Sequence, residues 1–482
     1  MNRRHFLKSA ALFGASPIVP QWVSSAHAAD VSGYKALVVV FLFGGNDTHN
    51  TVVPYSTSEY NAYATARGGP AEANGLAIPQ GALQPLSGGL YGLHPAMGGL
   101  ASLYNNGRVA VVANTGPLLA PTTLAQYRAR SVPLPPSLFS HNDMQGHWQT
   151  MRPGAQSDTG WGGRMADVFR TASTGGLPVA IGLGGGGIFL KGDQVFSYSV
   201  SPMRYRSGAL DNTFRISRAP RADIYWNWTG SNPQAIYEAN ARLPRANLLE
   251  EQYATVTESA IDLGQFVSTS LYNETTTNGN TNYSLKTPVP GAWPTNNRLA
   301  AQLHAAAAMI AARQSLGVSR QVFFVSLGGF DNHGDQFGRD AVTGNKTLMS
   351  GRHYDLLRQL DEGLRLFYEA TVGLGVASNV TTMTVSDFGR TLKSNGQGSD
   401  HGWGAHHLVM GGAVNGGRIL GTMPPVALGT SVDVGEGRLL PTTAADTYAA
   451  SFAQWLGAST AEVDQIFPNL NRFPTRTLDL FI

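Results

Sequence analysis

Apolar residues along this chain gather in short unbroken runs, and each run stops at Gly, Asp or Asn. Residues 36–43 lead into Gly44-Gly45-Asn46-Asp47, 109–113 into Asn114-Thr115-Gly116, and 322–327 into Gly328-Gly329-Phe330-Asp331. Two more runs, 381–385 and 408–410, lead into Ser386-Asp387 and Gly411-Gly412. Runs of this length, rich in β-branched residues and closed by turn formers, predict strands buried on both faces. Between them the period becomes helical, with Leu299, Leu303, Ala306 and Ile310 inside 297–314 and Leu356, Leu360, Leu364 and Leu366 inside 352–369. Strands alternating with helices of that length predict an α/β fold, a mostly parallel sheet with helices on both faces.

The pattern breaks between about 185 and 290, where a glycine run, many Arg and Tyr residues and the polar tract Asn273-Glu274-Thr275-Thr276-Thr277-Asn278-Gly279-Asn280 replace it. We read this region as a cap or insertion holding helices at 233–243 and 248–271 and a flexible tip at 273–280. The total of 57 Gly fits many tight strand-to-loop turns, because the apolar runs continue throughout.

The first residues carry a different signal. Arg3-Arg4-His5-Phe6-Leu7-Lys8 precedes a mildly apolar stretch interrupted by Pro17 and Pro20, then Ala26-His27-Ala28. A charged start, a short apolar region and a small-residue cleavage site predict a twin-arginine signal peptide over 1–28, with one α/β domain over 29–482. The expected location is the periplasm or beyond, and the expected partner during export is the Tat translocase.

Residues 1–28 contain Arg3, Arg4 and Lys8 but no acid, so without them the 34 basic side chains become 31, equal to the 31 acids. Balanced charge argues against a nucleic-acid partner, and no later apolar stretch approaches the ~18 residues of a membrane span, so no stable membrane anchor is expected. With no Cys, thiolate catalysis, iron–sulfur clusters and Cys-type zinc sites are excluded.

Candidate chemistry collects at strand ends, where open α/β sheets bind ligands. Asp47, Asp331 with His333, and Asp387 each follow an apolar run, and Asp400-His401-Gly402-Trp403-Gly404-Ala405-His406-His407 comes soon after. Six of the ten histidines beyond residue 28 (His141, His147, His333, His401, His406 and His407) lie in three short polar motifs. Carboxylate oxygen and imidazole nitrogen together suit a divalent ion, Zn²⁺ or Mn²⁺ first. Ser140 precedes a predicted short helix, where it is either an N-cap or a nucleophile activated by such an ion.

The strings Phe43-Gly44-Gly45-Asn46-Asp47, Phe139-Ser140-His141, Gly328-Gly329-Phe330-Asp331-Asn332-His333, Ser386-Asp387-Phe388-Gly389-Arg390-Thr391 and Asp400-His401-Gly402-Trp403-Gly404 resemble the DUF1501 family of exported bacterial proteins, beside the alkaline phosphatase and sulfatase superfamily. The resemblance implies an alkaline-phosphatase-like central sheet. It also implies Asp47, Asp387 and Ser140 around one metal and Asp331, His333 and His401 around another. The chain departs from the superfamily pattern in having Asp387-Phe388 where Asp-His is usual and one residue between Asp331 and His333 where three are usual. Asp400-His401 is an alternative source of the missing pair, with His406 or His407 as the last ligand.

The implied activity is metal-dependent hydrolysis of phosphate or sulfate esters, small or polymeric. Ser140 would attack, and Arg390 or a histidine would stabilise the developing charge. Sulfatase chemistry through the usual modified residue is not expected, since no Cys or Ser lies two positions before a Pro with Arg two positions after it. The rival expectation is a non-catalytic secreted binding or assembly protein on the same fold.

Overall fold

The computed structural model describes residues 29–482 except 196–197, 201, 204–214, 217–238, 241 and 278–279. The signal-peptide segment 1–28 and most of the helix expected at 233–243 lie outside the described residues.

Among the described residues, nine strands form the main sheet: β1 (Lys35–Phe43), β2 (Val109–Gly116), β3 (Ala180–Gly182), β4 (Tyr198–Ser199), β5 (Arg320–Gly328), β6 (Val380–Ser386), β7 (Ala405–Gly411), β8 (Ile419–Leu420) and β9 (Thr443–Ala444). Their order is β8-β2-β7-β6-β1-β5-β3-β4, with β9 also beside β2. Only β7 runs antiparallel to its neighbours, β6 and β2; the other pairings are parallel.

The strands are apolar throughout because both faces are covered. In β1, Ala36, Val38, Val40 and Leu42 face one layer, while Leu37, Val39 and Phe41 face the other. The first layer contains α1 (Gly98–Asn105), and the second contains α3 (Trp161–Val168), which follows α2 (His141–Thr150) in the chain. Next come α4 (Leu248–Leu271), α5 (Arg298–Ala311), α6 (Arg352–Gly373) and α7 (Ala445–Leu456). The apolar faces of α5 and α6 complete the first layer, and α7 completes the second. Alanines at 300 and 305–308 of α5 are buried there. Arg320, buried at the start of β5, donates to main-chain oxygens of Asp30, Ser32, Gly33 and Leu456, fastening the first described residues to the end of α7.

The insertion differs from expectation at its tip. Tyr272–Thr277 pairs antiparallel with Asn280–Leu285, so the described part of the polar tract is a hairpin. Its threonines favour the extended backbone despite their polarity. The helix expected at 248–271 is α4, and Val267 and Leu271 anchor it in the first layer.

One consequence of the register defines the site. Leu42 lies beside both Leu327 and Ser386, so β1, β5 and β6 end side by side and release their loops from one edge. Because β7 is antiparallel, its first residues reach the same edge and bring Asp400 and His401 with them.

Candidate metal centre

The loops at this edge are held together by Arg390. Its buried guanidinium donates to the carbonyls of Gly45 (2.8 Å), Ser399 (2.6 Å) and Gly44 (2.6 Å) and pairs with Asp331 Oδ1. The β1 loop can approach this closely only without side chains. A Cβ on Gly44 (φ +114°) would overlap the backbone of Asp331, and one on Gly45 (φ +81°) would overlap the Phe388 ring.

Asp387 is fully buried at the end of β6. Its Oδ1 accepts from the Gly44 N–H at 3.2 Å, and its Oδ2 meets His141 Nδ1 at 2.7 Å and Gln145 Nε2 at 2.8 Å. His141 and Gln145 stand one turn apart on α2, so one helix face grips one carboxylate. The bond to Asp387 raises the His141 imidazole above its usual range, against the effect of burial.

Three imidazoles share one design. His141 Nδ1 is engaged by Asp387, His333 Nδ1 by Asp400 Oδ1 at 2.8 Å, and His401 Nδ1 by the Phe139 carbonyl at 2.7 Å. These partners are acceptors, so each ring donates through Nδ1 and turns its Nε2 towards the centre. The three Nε2 atoms face Asp331: that of His141 lies 3.4 Å from Oδ2, and those of His333 and His401 lie 3.0 and 3.3 Å from Oδ1. His333 Nε2 and His401 Nε2 are 2.8 Å apart. Among the described residues, the ligand atoms of His141, Asp331 and His401 lie within 4.8 Å of one another, and this is the only such group of three or more.

Ligand atoms bound tetrahedrally at zinc distances sit roughly 3.3 Å apart, and the contacts of Asp331 with the three rings match that spacing. Carboxylate and carbonyl acceptors behind metal-facing imidazoles are the outer shell that fixes tautomer and ring orientation in metal sites. His141, Asp331 and His401 therefore fit a divalent ion, and His333 stands beside that group rather than in it. Phe388 forms an apolar wall, its ring centroid 4.9 Å from His141 and 4.6 Å from His401. Asp331 and His333 remain half-exposed, so the centre opens to solvent on one side. Asp331 stays below the usual carboxylate range: burial works against this, and the Arg390 hydrogen bond and charge outweigh it.

The expected site residues thus divide. Asp331, His333 and His401 come together, and Asp387 reaches the centre through His141 rather than directly. Asp47 is engaged elsewhere: its Oδ2 pairs with buried Arg67 and accepts from Gln336 Nε2 at 2.6 Å. His406 is buried within β7, where Nδ1 accepts from the Asn114 N–H at 3.0 Å and burial drives its pKa down to about 3. His407 packs between Trp148 and Tyr448. Ser140 occupies the N-cap position of α2 but makes no side-chain cap bond; its hydroxyl donates to Asp143 Oδ2 at 2.7 Å. Arg390 donates to three carbonyls and Asp331, which makes it a positioning residue in this arrangement.

Sequence reasoning counted His141 among the clustered histidines without assigning it to the ion, and passed over Gln145. Their signal was present as two polar residues four apart at the start of a helix, directly after the Ser that was singled out.

Residues 231–446 match the family model described as "Protein of unknown function (DUF1501)". This segment carries the DUF1501 signature. It includes β5, β6 and β7 and most of the ligand-bearing loops, while His141 lies outside it. The fold is α/β, a mostly parallel central sheet covered by helices on both faces. Solved structures with a similar chain course include Ps i-CgsB, at 11% identity over 92% of this chain and 76% of that one, TM-score 0.35. Another is PsFucS1 sulfatase from Pseudoalteromonas sp., at 11% identity over 93% and 71%, TM-score 0.34. No curated protein matches the sequence.

Proposed function

We propose that this chain is a metal-dependent hydrolase of phosphate or sulfate esters, acting at the edge where β1, β5 and β6 end. The observation that carries the reading is the approach of three Nε2 atoms to the Asp331 carboxylate, each ring fixed through Nδ1 by an acceptor behind it. A divalent ion bound there supplies Lewis-acid polarisation of an ester oxygen. The chain's own residues supply the rest. Ser140 stands at the start of α2, where free N–H groups and the helix dipole favour an anion, and its proton is already directed at the Asp143 carboxylate. Arg390 fixes the Asp331 carboxylate towards the three rings.

Elemental mass spectrometry on the folded protein, followed by turnover of p-nitrophenyl phosphate and sulfate, tests the reading. Bound zinc or manganese that Asp331→Ala and His401→Ala lose, with turnover that Ser140→Ala abolishes, is the expected result. A metal-free wild type ends it.

The second reading is a non-catalytic binding or assembly protein in which the ion is structural. The engagement of the Arg390 guanidinium by backbone carbonyls favours it. Metal retained without turnover of either ester selects this alternative. In both readings we propose export by the Tat translocase, on the strength of Arg3-Arg4 and Ala26-His27-Ala28.

A further inference from the structure

The resemblance implies two ions, and the side chains accommodate one. We infer that this is a single-ion centre in which the Arg67 guanidinium occupies the electrostatic place of a second cation and Asp387 positions His141 instead of binding metal. The inference rests on the metal reading above and deepens it.

Asp47 is the first strand-end carboxylate, and a cation already lies against it. Arg67 and Asp47 form an ion pair in which both side chains are essentially without solvent contact. Arg67 is fixed from behind, its Nη1 donating to the carbonyls of Thr391 (3.0 Å) and Leu392 (3.1 Å), and Gln336 adds a second donor on the same Asp47 oxygen. Asp47 Oδ1 is buried without a partner, yet an ion there would have a guanidinium as neighbour, and among the described residues no group of three ligands includes Asp47. Like charges this close repel strongly away from water, and a dication doubles the repulsion.

Asp387 is equally committed. Oδ1 accepts from the Gly44 N–H, and Oδ2 accepts from His141 and Gln145. Binding an ion would break the contacts that orient α2. The third member of the implied group, Ser140, directs its hydroxyl to Asp143. All three implied ligands of one ion are therefore bound to protein partners, whereas in the other group Arg390 engages Asp331 through Oδ1 and the Nε2 atoms of His141 and His401 turn to the same carboxylate. His141 joins that second group through Nε2, buried and without a hydrogen-bond partner of its own.

The test is a Co²⁺ titration of the full-length folded chain, followed by elemental analysis and visible absorption, on the wild type and the Asp47→Asn, Asp387→Asn and His141→Ala variants. The expected wild-type curve saturates at one ion per chain. Asp47→Asn keeps that stoichiometry. Asp387→Asn still saturates at one, but with affinity reduced ~10–100-fold and a shifted cobalt d–d band, a change that loss of general stability would not produce. His141→Ala loses the band. Two ions in the wild type overturn the inference while leaving the metal reading intact, and this outcome needs no variant to fold. No ion at all overturns the metal reading and the inference with it.

Discussion

His333 and His401 direct their Nε2 atoms at each other across 2.8 Å, while each Nδ1 is engaged by its own acceptor. Two neutral rings in these tautomers face each other with lone pairs, so the pair is stable only around a cation or a shared proton. Replacing either ring with Ala is expected to weaken zinc binding at least tenfold, and a competing chromogenic chelator measures the change.

The same geometry sets a pH dependence. The ion requires neutral imidazoles, so protons compete with it as pH falls. Asp387 raises the His141 imidazole in the ion-free protein, so this ring takes up a proton earlier on the way down than an unpaired histidine would. Metal retention is expected to be full above neutrality and to fall as pH drops through the slightly acidic range. Equilibrium dialysis across that range reads it, and in Asp387→Asn the His141 contribution should begin at lower pH.

Gly45 is a structural control on the centre. With φ at +81° and the Phe388 ring against the position of a Cβ, Gly45→Ala must strain the backbone and displace the ring that walls His141 and His401. A loss of roughly 1–3 kcal/mol is expected by urea unfolding, with weaker ion binding. Unchanged ion affinity would show that Phe388 does not shape the centre.

The buried Asp47–Arg67 pair is a stability element with a defined pH window. Burial alone would raise the Asp47 carboxyl; Arg67, then His353, His49 and Gln336, hold it at about 2, against an ordinary 3.8. A folded-state pKa below the unfolded value means a contribution complete above 3.8 and lost as pH falls through about 2. That contribution is about 2 kcal/mol. Arg67→Met leaves the carboxylate unpaired, with an expected cost of about 3–5 kcal/mol at pH 7 by chemical denaturation.

Asp446 behaves in the opposite sense. Burial raises its carboxyl to about 7, and its Oδ1 has no partner. Here the fold is favoured while the group is protonated, and that advantage disappears as pH rises from 3.8 through about 7. Asp446→Asn imitates the protonated form, so it is expected to stabilise the protein by roughly 2–4 kcal/mol at pH 8 and by little at pH 4. Urea midpoints at the two pH values decide it.

The strands of the sheet centre were legible because a strand buried on both faces has to be apolar along its length, and 36–43 and 322–327 could be little else. The strand-end position of Asp331 and Asp387 followed from the same runs. Which carboxylate would face an ion was not legible, since that depends on Arg67, a residue twenty positions from Asp47 that returns to it only in the folded chain. The role of His141 was hidden for the same reason: nothing local distinguishes a ring aimed at Asp387 from one capping its own helix. The hairpin at Tyr272–Thr277 was obscured by polar composition, although the dipeptide Asn278-Gly279 between the two strands is a strong hairpin signal in sequence.

Because β7 enters the sheet antiparallel, it brings His401 back to an edge whose first ligand, His141, lies 260 residues earlier in the chain. At typical synthesis rates, roughly 10–50 s separate the appearance of those two residues at the ribosome. A nascent chain therefore carries His141 long before it can offer an ion its complete set of donors. In the proposed reading, capture of an ion waits until β7 has joined the sheet and carried His401 to the edge.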